Sequence, residues 1–92
     1  NSSPDTFELY QNYPNPFNAS TKISYKLNNQ SQRVRLSIYD VNGKLVEKLF
    51  YGIQADGTHT VNWNASKYSS GTYFCRINVD RLSKSIKLVY LK

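Results

Sequence analysis

Cysteine occurs once in this 92-residue chain, at Cys75, and histidine once, at His59. A lone thiol excludes an internal disulfide, so the fold has no covalent staple. One His and one Cys do not make a zinc site. No run approaches the roughly 18 apolar residues of a membrane-spanning helix, and no leader of basic then apolar residues opens the chain. Bases are missing from residues 1–20, where Asp5 and Glu8 are the only charges. Acids are missing from residues 81–92, which carry Arg81, Lys84, Lys87 and Lys92. Nowhere do apolar residues recur at helical spacing, which excludes an amphipathic helix as a building block.

What remains is a single small domain with one core. The chain is 39% hydrophobic and 14% aromatic, with eight Tyr and four Phe, enough to fill that core. Tyr brings a hydroxyl that needs water or a partner, so the core should have polar outlets. The net charge is +6. A basic C-terminal end can draw nucleic acid, anionic lipid or acidic polysaccharide through a salt-sensitive field. It reads equally as a solvated face that keeps a small β-domain soluble.

Apolar and polar residues alternate with the period of two that marks half-buried strands. Thr6–Tyr10 presents Phe7 and Leu9 to one side. Lys22–Leu27 presents Ile23, Tyr25 and Leu27, and Asn28–Gln32 is a polar turn. Arg33–Tyr39 presents Val34, Leu36 and Ile38, with Arg33, Arg35 and Ser37 facing out. Asp40-Val41-Asn42-Gly43 supplies an Asn-Gly hairpin turn. Lys44–Tyr51 returns with Leu45, Val46 and Leu49 as core candidates, and Gly52–Gly57 forms a loop. Thr58–Trp63 puts His59, Val61 and Trp63 on one face. Thr72–Val79 and Ser83–Leu91 form a last hairpin across Asp80-Arg81-Leu82. Seven short strands separated by turn signals predict an all-β fold, a seven-stranded antiparallel β-sandwich of immunoglobulin-like type.

Chemistry is harder to find. Cys75 alternates with Tyr73, Ile77 and Val79, so it reads as a buried, inert thiol rather than the partner of His59 in a nucleophilic dyad. Asp40-Val41-Asn42-Gly43 resembles the start of a calcium loop, but Glu47 comes too soon to close one, and the hairpin turn explains the four residues. Tyr39, Tyr51, Tyr68, Phe74 and Tyr90 are candidates for stacking on sugars or bases, against the plainer reading that they fill strand faces. No catalytic residue, metal ligand or cofactor site emerges, and no enzyme is predicted.

One segment stands apart: Gln11, Asn12, Tyr13, Pro14, Asn15, Pro16, Phe17 and Asn18. Pro14 and Pro16 exclude helix interior and central strand and push Tyr13 and Asn15 toward extended geometry. The reading is a stiff loop whose two aromatics, Tyr13 and Phe17, pack back onto the sandwich.

Leu9-x-Gln-Asn-Tyr-Pro-Asn-Pro-Phe-Asn-x-Ser-Thr, followed by Ile23-Ser-Tyr-x-Leu27, resembles the opening of the type A C-terminal sorting domain of the type IX (Por) secretion system. Val34-x-Leu-x-Ile-Tyr-Asp-x-x-Gly43, Gly57-Thr-His-x-Val-x-Trp63, Ser70-Gly-Thr-Tyr-Phe-x-Arg76 and Ser85-x-Lys-Leu-x-x-Leu-Lys92 continue the likeness in order. Three departures stand out. Ala19 replaces a usual third proline, Cys75 replaces an aromatic, and an Asp-Gly pair is missing after Trp63.

The resemblance implies a non-catalytic address label at the end of a secreted protein of a Gram-negative bacterium. Such a protein reaches the periplasm by general export. The folded domain is then recognised by the outer-membrane translocon and its shuttle proteins and is cleaved by a sortase-like peptidase. The cargo domain, N-terminal in the same chain, is released or joined to an anionic lipopolysaccharide at the cell surface. On this reading residues 1–4 end an interdomain linker and residues 5–92 form the sorting domain. Ser85, Lys87, Leu88, Leu91 and Lys92 would meet the translocon, with Arg81, Lys84, Lys87 and Lys92 as a basic surface. The alternative is a polysaccharide-binding or structural β-sandwich module appended to a secreted enzyme. Neither reading involves nucleic acid or a transmembrane segment.

Overall fold

The computed structural model describes residues 7–28 and 32–92. The linker expected over residues 1–4, the start of the first strand at Thr6, and most of the turn expected over Asn28–Gln32 lie outside those residues. Seven strands follow one another: β1 (Phe7–Leu9), β2 (Ser20–Leu27), β3 (Gln32–Asp40), β4 (Leu45–Gln54), β5 (Gly57–Asn64), β6 (Gly71–Val79) and β7 (Leu82–Tyr90). They form two antiparallel sheets, one ordered β1-β2-β5 and the other β4-β3-β6-β7. The result is the expected immunoglobulin-like β-sandwich.

Alternation places one side of each strand in the space between the sheets. Thr21, Ile23, Tyr25 and Leu27 enter from β2, Val34, Leu36 and Ile38 from β3, and Tyr73, Cys75, Ile77 and Val79 from β6. Each fully buried aliphatic or aromatic side chain contributes about 1.5–3 kcal/mol of transfer free energy. Trp63 anchors one end, with Tyr73 edge-on at 5.4 Å, Phe17 at 5.8 Å and Tyr68 at 5.9 Å between ring centroids. The polar tips find outlets. Trp63 Nε1 donates to Glu47 at 3.2 Å, the Tyr68 hydroxyl donates to the same carboxylate at 2.9 Å, and the Tyr73 hydroxyl donates to the Ser69 carbonyl at 2.6 Å. The Tyr25 hydroxyl donates to Gln54 Oε1.

Strand β4 departs from the expected alternation. The β3–β4 register slips between Leu36 and Ser37 and again between Ile38 and Tyr39, leaving Leu49 and Val46 as the extra residues. Each bulge turns the strand and shifts which residues face the core. Val46, Leu49 and Phe50 pack against the core, whereas Leu45, expected there, is 44% exposed. The loop expected over Gly52–Gly57 shrinks to Ala55 and Asp56, because β4 runs on to Gln54. Ser37 faces outward as expected but is buried, since its neighbours in register are the long side chains of Lys48 and Arg76. Tyr90 is not a surface aromatic: its ring lies in the core.

Candidate functional site

Strand β7 is an edge strand, hydrogen-bonded to β6 on one side only. In an antiparallel ladder, alternate residues turn their backbone groups toward the partner strand. The hairpin register pairs Val79 with Leu82 and Ile77 with Lys84. The odd residues from Ser83 to Leu91 therefore turn their amides and carbonyls away from β6.

Half of that outer edge is occupied by the proline loop. Gln11 Nε2 donates to the Lys87 carbonyl at 2.9 Å, and the Val89 amide donates to Asn15 Oδ1 at 3.0 Å. The Phe17 amide donates to the Val89 carbonyl at 2.9 Å, and the Leu91 amide donates to the Phe17 carbonyl at 2.9 Å. Phe17 and Tyr90 thus form a parallel bridge, with both side chains in the core.

The loop is held from its other end as well. Tyr13 and Lys22 exchange backbone hydrogen bonds of 3.0 and 2.9 Å, and the Ala65 amide donates to the Ala19 carbonyl at 2.7 Å. Beneath it, buried Asn12 donates through Nδ2 to Thr21 Oγ1 at 3.0 Å and to the Pro14 carbonyl at 3.1 Å. Thr21 Oγ1 donates to the same carbonyl at 2.9 Å. The segment is a clasp, running from the first sheet to the edge of the second. Its path is bent over residues 14–16 rather than simply extended.

The two aromatics of this segment have opposite fates. Phe17 is buried, as expected, but Tyr13 is 79% exposed. Cross-strand partners share a face, and the partner of Tyr13 is Lys22, whose side chain points to solvent. Tyr13 therefore turns outward with it and does not pack on the sandwich.

The residues expected at the translocon interface divide by strand parity. Ser85 and Lys87 project from the outer face of the four-stranded sheet, opposite Arg76 and Phe74. Leu88 is fully buried on the inner side. Leu91 is 53% exposed and Lys92 is exposed just beyond the strand. The four cations expected as one basic surface are not brought together. Lys87 faces out, whereas Lys84 turns inward to the open side of the sandwich, its Nζ donating to the Phe7 carbonyl at 3.0 Å and lying 5.1 Å from the Phe7 ring centroid. Arg81 is exposed in the β6–β7 turn.

Nothing around Cys75 resembles a reactive centre. The thiol is buried, and burial alone pushes its pKa from 9.0 to about 12. His59 Nε2 is hydrogen-bonded at 2.8 Å to the Ala55 carbonyl. No group of three or more metal-ligating side chains occurs among the described residues.

Residues 11–91 match the family model described as "Secretion system C-terminal sorting domain". The chain belongs to this family. The match begins at the first clasp residue and ends at the last one, Leu91. The domain is thus a C-terminal sorting domain of the type IX secretion system, and membership supports a secretion-signal role. No curated protein matches the sequence. Among solved structures, the dimeric latent PorU from Porphyromonas gingivalis is similar at 20% identity and a TM-score of 0.71. The likeness covers 98% of this chain and 10% of that one. At that identity it supports the fold of the sorting domain alone.

Proposed function

We propose that this sorting domain is read in its folded state by the outer-membrane translocon of the type IX system, through the edge and outer face of β7. One observation carries the reading. The outer edge of β7 is assembled from both ends of the domain, Gln11–Phe17 and Lys87–Leu91, so the feature exists only after folding. The stretch of the edge that the clasp leaves uncovered, at Ser83 and Ser85, offers backbone groups to a partner, and side chains on alternate positions add selectivity. Ser85, Lys87, Leu91 and Lys92 meet the partner, and Lys87 and Lys92 favour an acidic one. Leu88 holds the strand from beneath. Residues 1–4 end the linker that a sortase-like peptidase cuts, releasing the N-terminal cargo or passing it to an anionic lipopolysaccharide at the cell surface of a Gram-negative bacterium. The domain itself carries out no catalysis.

The test is export of a periplasmic reporter fused to residues 1–92 in a bacterium with this system. Deleting Leu88–Lys92 is too blunt, because it removes Leu88 and Tyr90 from the core. The variant to use is Ser85→Asp, Lys87→Glu, Lys92→Glu, all at exposed positions. Export of this folded variant is expected to fail. Export at the wild-type rate would overturn β7 as the recognised element.

A further inference from the structure

The outer face of the four-stranded sheet extends well beyond the β7 residues proposed to meet the translocon and shares Ser85 and Lys87 with them. It carries five exposed cations: Arg33 and Arg35 from β3, Lys48 from β4, Arg76 from β6 and Lys87 from β7. In register, Arg35 stands between Tyr51 and Asn78, Arg76 between Ser37 and Ser85, and Lys87 beside Phe74. No acid stands among these neighbours. At the two ends of the face, Asp80 lines a cleft with Arg33 and Arg35, and Asp40 lines one with Arg76.

Two of the guanidinium groups are held in place by aromatic rings. Arg76 lies 4.9 Å from the centroid of Tyr39, and Arg35 lies 5.5 Å from that of Tyr51. Stacking of this kind fixes the guanidinium plane and leaves its N–H fork to solvent. Arg33 and then Arg35, beside the Tyr51 phenol, pull its pKa below the usual value. The positive field is therefore concentrated here, between hydroxyl and amide groups that donate and accept.

We infer that this face binds a linear acidic polysaccharide, with Arg35 and Arg76 as the principal contacts to its anionic groups. Three features favour that occupant. A protein interface needs a desolvated apolar centre with anchoring side chains. Here the centre is charged, and the exposed apolar residues Leu45 and Ile53 lie on the edge strand β4. Single-stranded nucleic acid needs uncovered aromatic rings for base stacking, but Tyr39 and Tyr51 carry arginines over their faces and Phe74 is half-buried. A flat face with dispersed cations and hydroxyls matches a polymer that carries carboxylates and hydroxyls along its length, since guanidinium pairs with carboxylate in bidentate fashion.

The experiment is affinity electrophoresis of the domain in gels containing polygalacturonate, with neutral dextran and a single-stranded oligothymidylate as comparison ligands. The wild type is expected to be retarded by polygalacturonate alone. Arg35→Gln with Arg76→Gln should weaken retardation by about tenfold or more, as two charge-assisted contacts are lost. Lys22→Gln with Lys26→Gln lowers the net charge equally, on the other sheet, and should leave binding unchanged. Lys48→Gln with Lys87→Gln, which leaves both cation–aromatic pairs intact, repeats the test should the arginine variant melt early. The inference is overturned by absence of retardation, by equal loss in the Lys22/Lys26 variant, or by oligothymidylate binding as tightly as polygalacturonate.

Discussion

Phe17 stacks on Tyr90, with ring centroids 5.2 Å apart and planes inclined by only 16°, although one residue precedes β2 and the other ends β7. Both rings are at most 2% exposed. The contact ties the clasp to the edge strand through side chains as well as backbone.

Phe17→Ala is accordingly expected to destabilise the domain by about 3–5 kcal/mol, the range for a buried aromatic replaced by a methyl group. The cavity would open beside Trp63, which also touches the ring. Urea denaturation measures the change, and an unaltered midpoint would show that the ring is not part of the core.

Asn15→Ala takes away the side-chain acceptor of the Val89 amide. The expected cost is about 0.5–1.5 kcal/mol, the usual net worth of a hydrogen bond. Amide exchange gives the sharper reading. Val89 should lose protection, while amides of the β3–β6 ladder keep theirs.

Tyr13→Ala, two residues away, should change stability by less than about 0.5 kcal/mol, as surface substitutions generally do. The side chain is 79% exposed, and only the backbone of Tyr13 pairs with Lys22. A loss comparable with that of Phe17→Ala would mean the ring is buried.

Cys75 and Tyr25 make stability depend on alkaline pH. Burial raises both, the thiol from 9.0 and the phenol from 10.0, each to about 12. A group whose folded pKa lies above its unfolded value stabilises the fold fully below the unfolded pKa, and that contribution fades as pH rises toward the folded one. Stability should therefore fall between roughly pH 9 and 12. Cys75 accounts for up to about 1.4 kcal/mol per pH unit. Cys75→Val should flatten the profile, and native Cys75 should resist thiol reagents at pH 8 until the domain unfolds. An unchanged pH profile in Cys75→Val would refute the assignment.

The strands were legible because a strand half-buried against one core writes its orientation into every second residue. Ile23, Tyr25 and Leu27 show it in β2, and Val34, Leu36 and Ile38 in β3. That rule failed where bulges interrupted the period, so Leu45 was misplaced while Phe50 went unnoticed. The proline loop announced itself by composition, but the fate of its aromatics did not. Which ring turns inward depends on the bridge partner, Lys22 for Tyr13 and Tyr90 for Phe17, and those pairings are long-range. The same holds for Gln11 and Asn15, whose partners Lys87 and Val89 no local pattern reveals. A positive φ at Ala19, 74°, is equally silent in the sequence. Proline cannot adopt it, which gives the missing third proline a local reason. The cationic face escaped notice because its cations come from four strands and meet only through sheet order.

The clasp also bears on timing. It joins Gln11 to Lys87 and Asn15 to Val89, pairs separated by 76 and 74 positions. Closing loops of that length costs entropy before any contact repays it, so these pairings should come late in folding. A chain that stops short of β7 leaves Phe17 without Val89 and Tyr90, however well its earlier strands have formed. The finished clasp is thus a receipt for a chain made through β7. A machine that reads it would pass over truncated chains without inspecting the cargo.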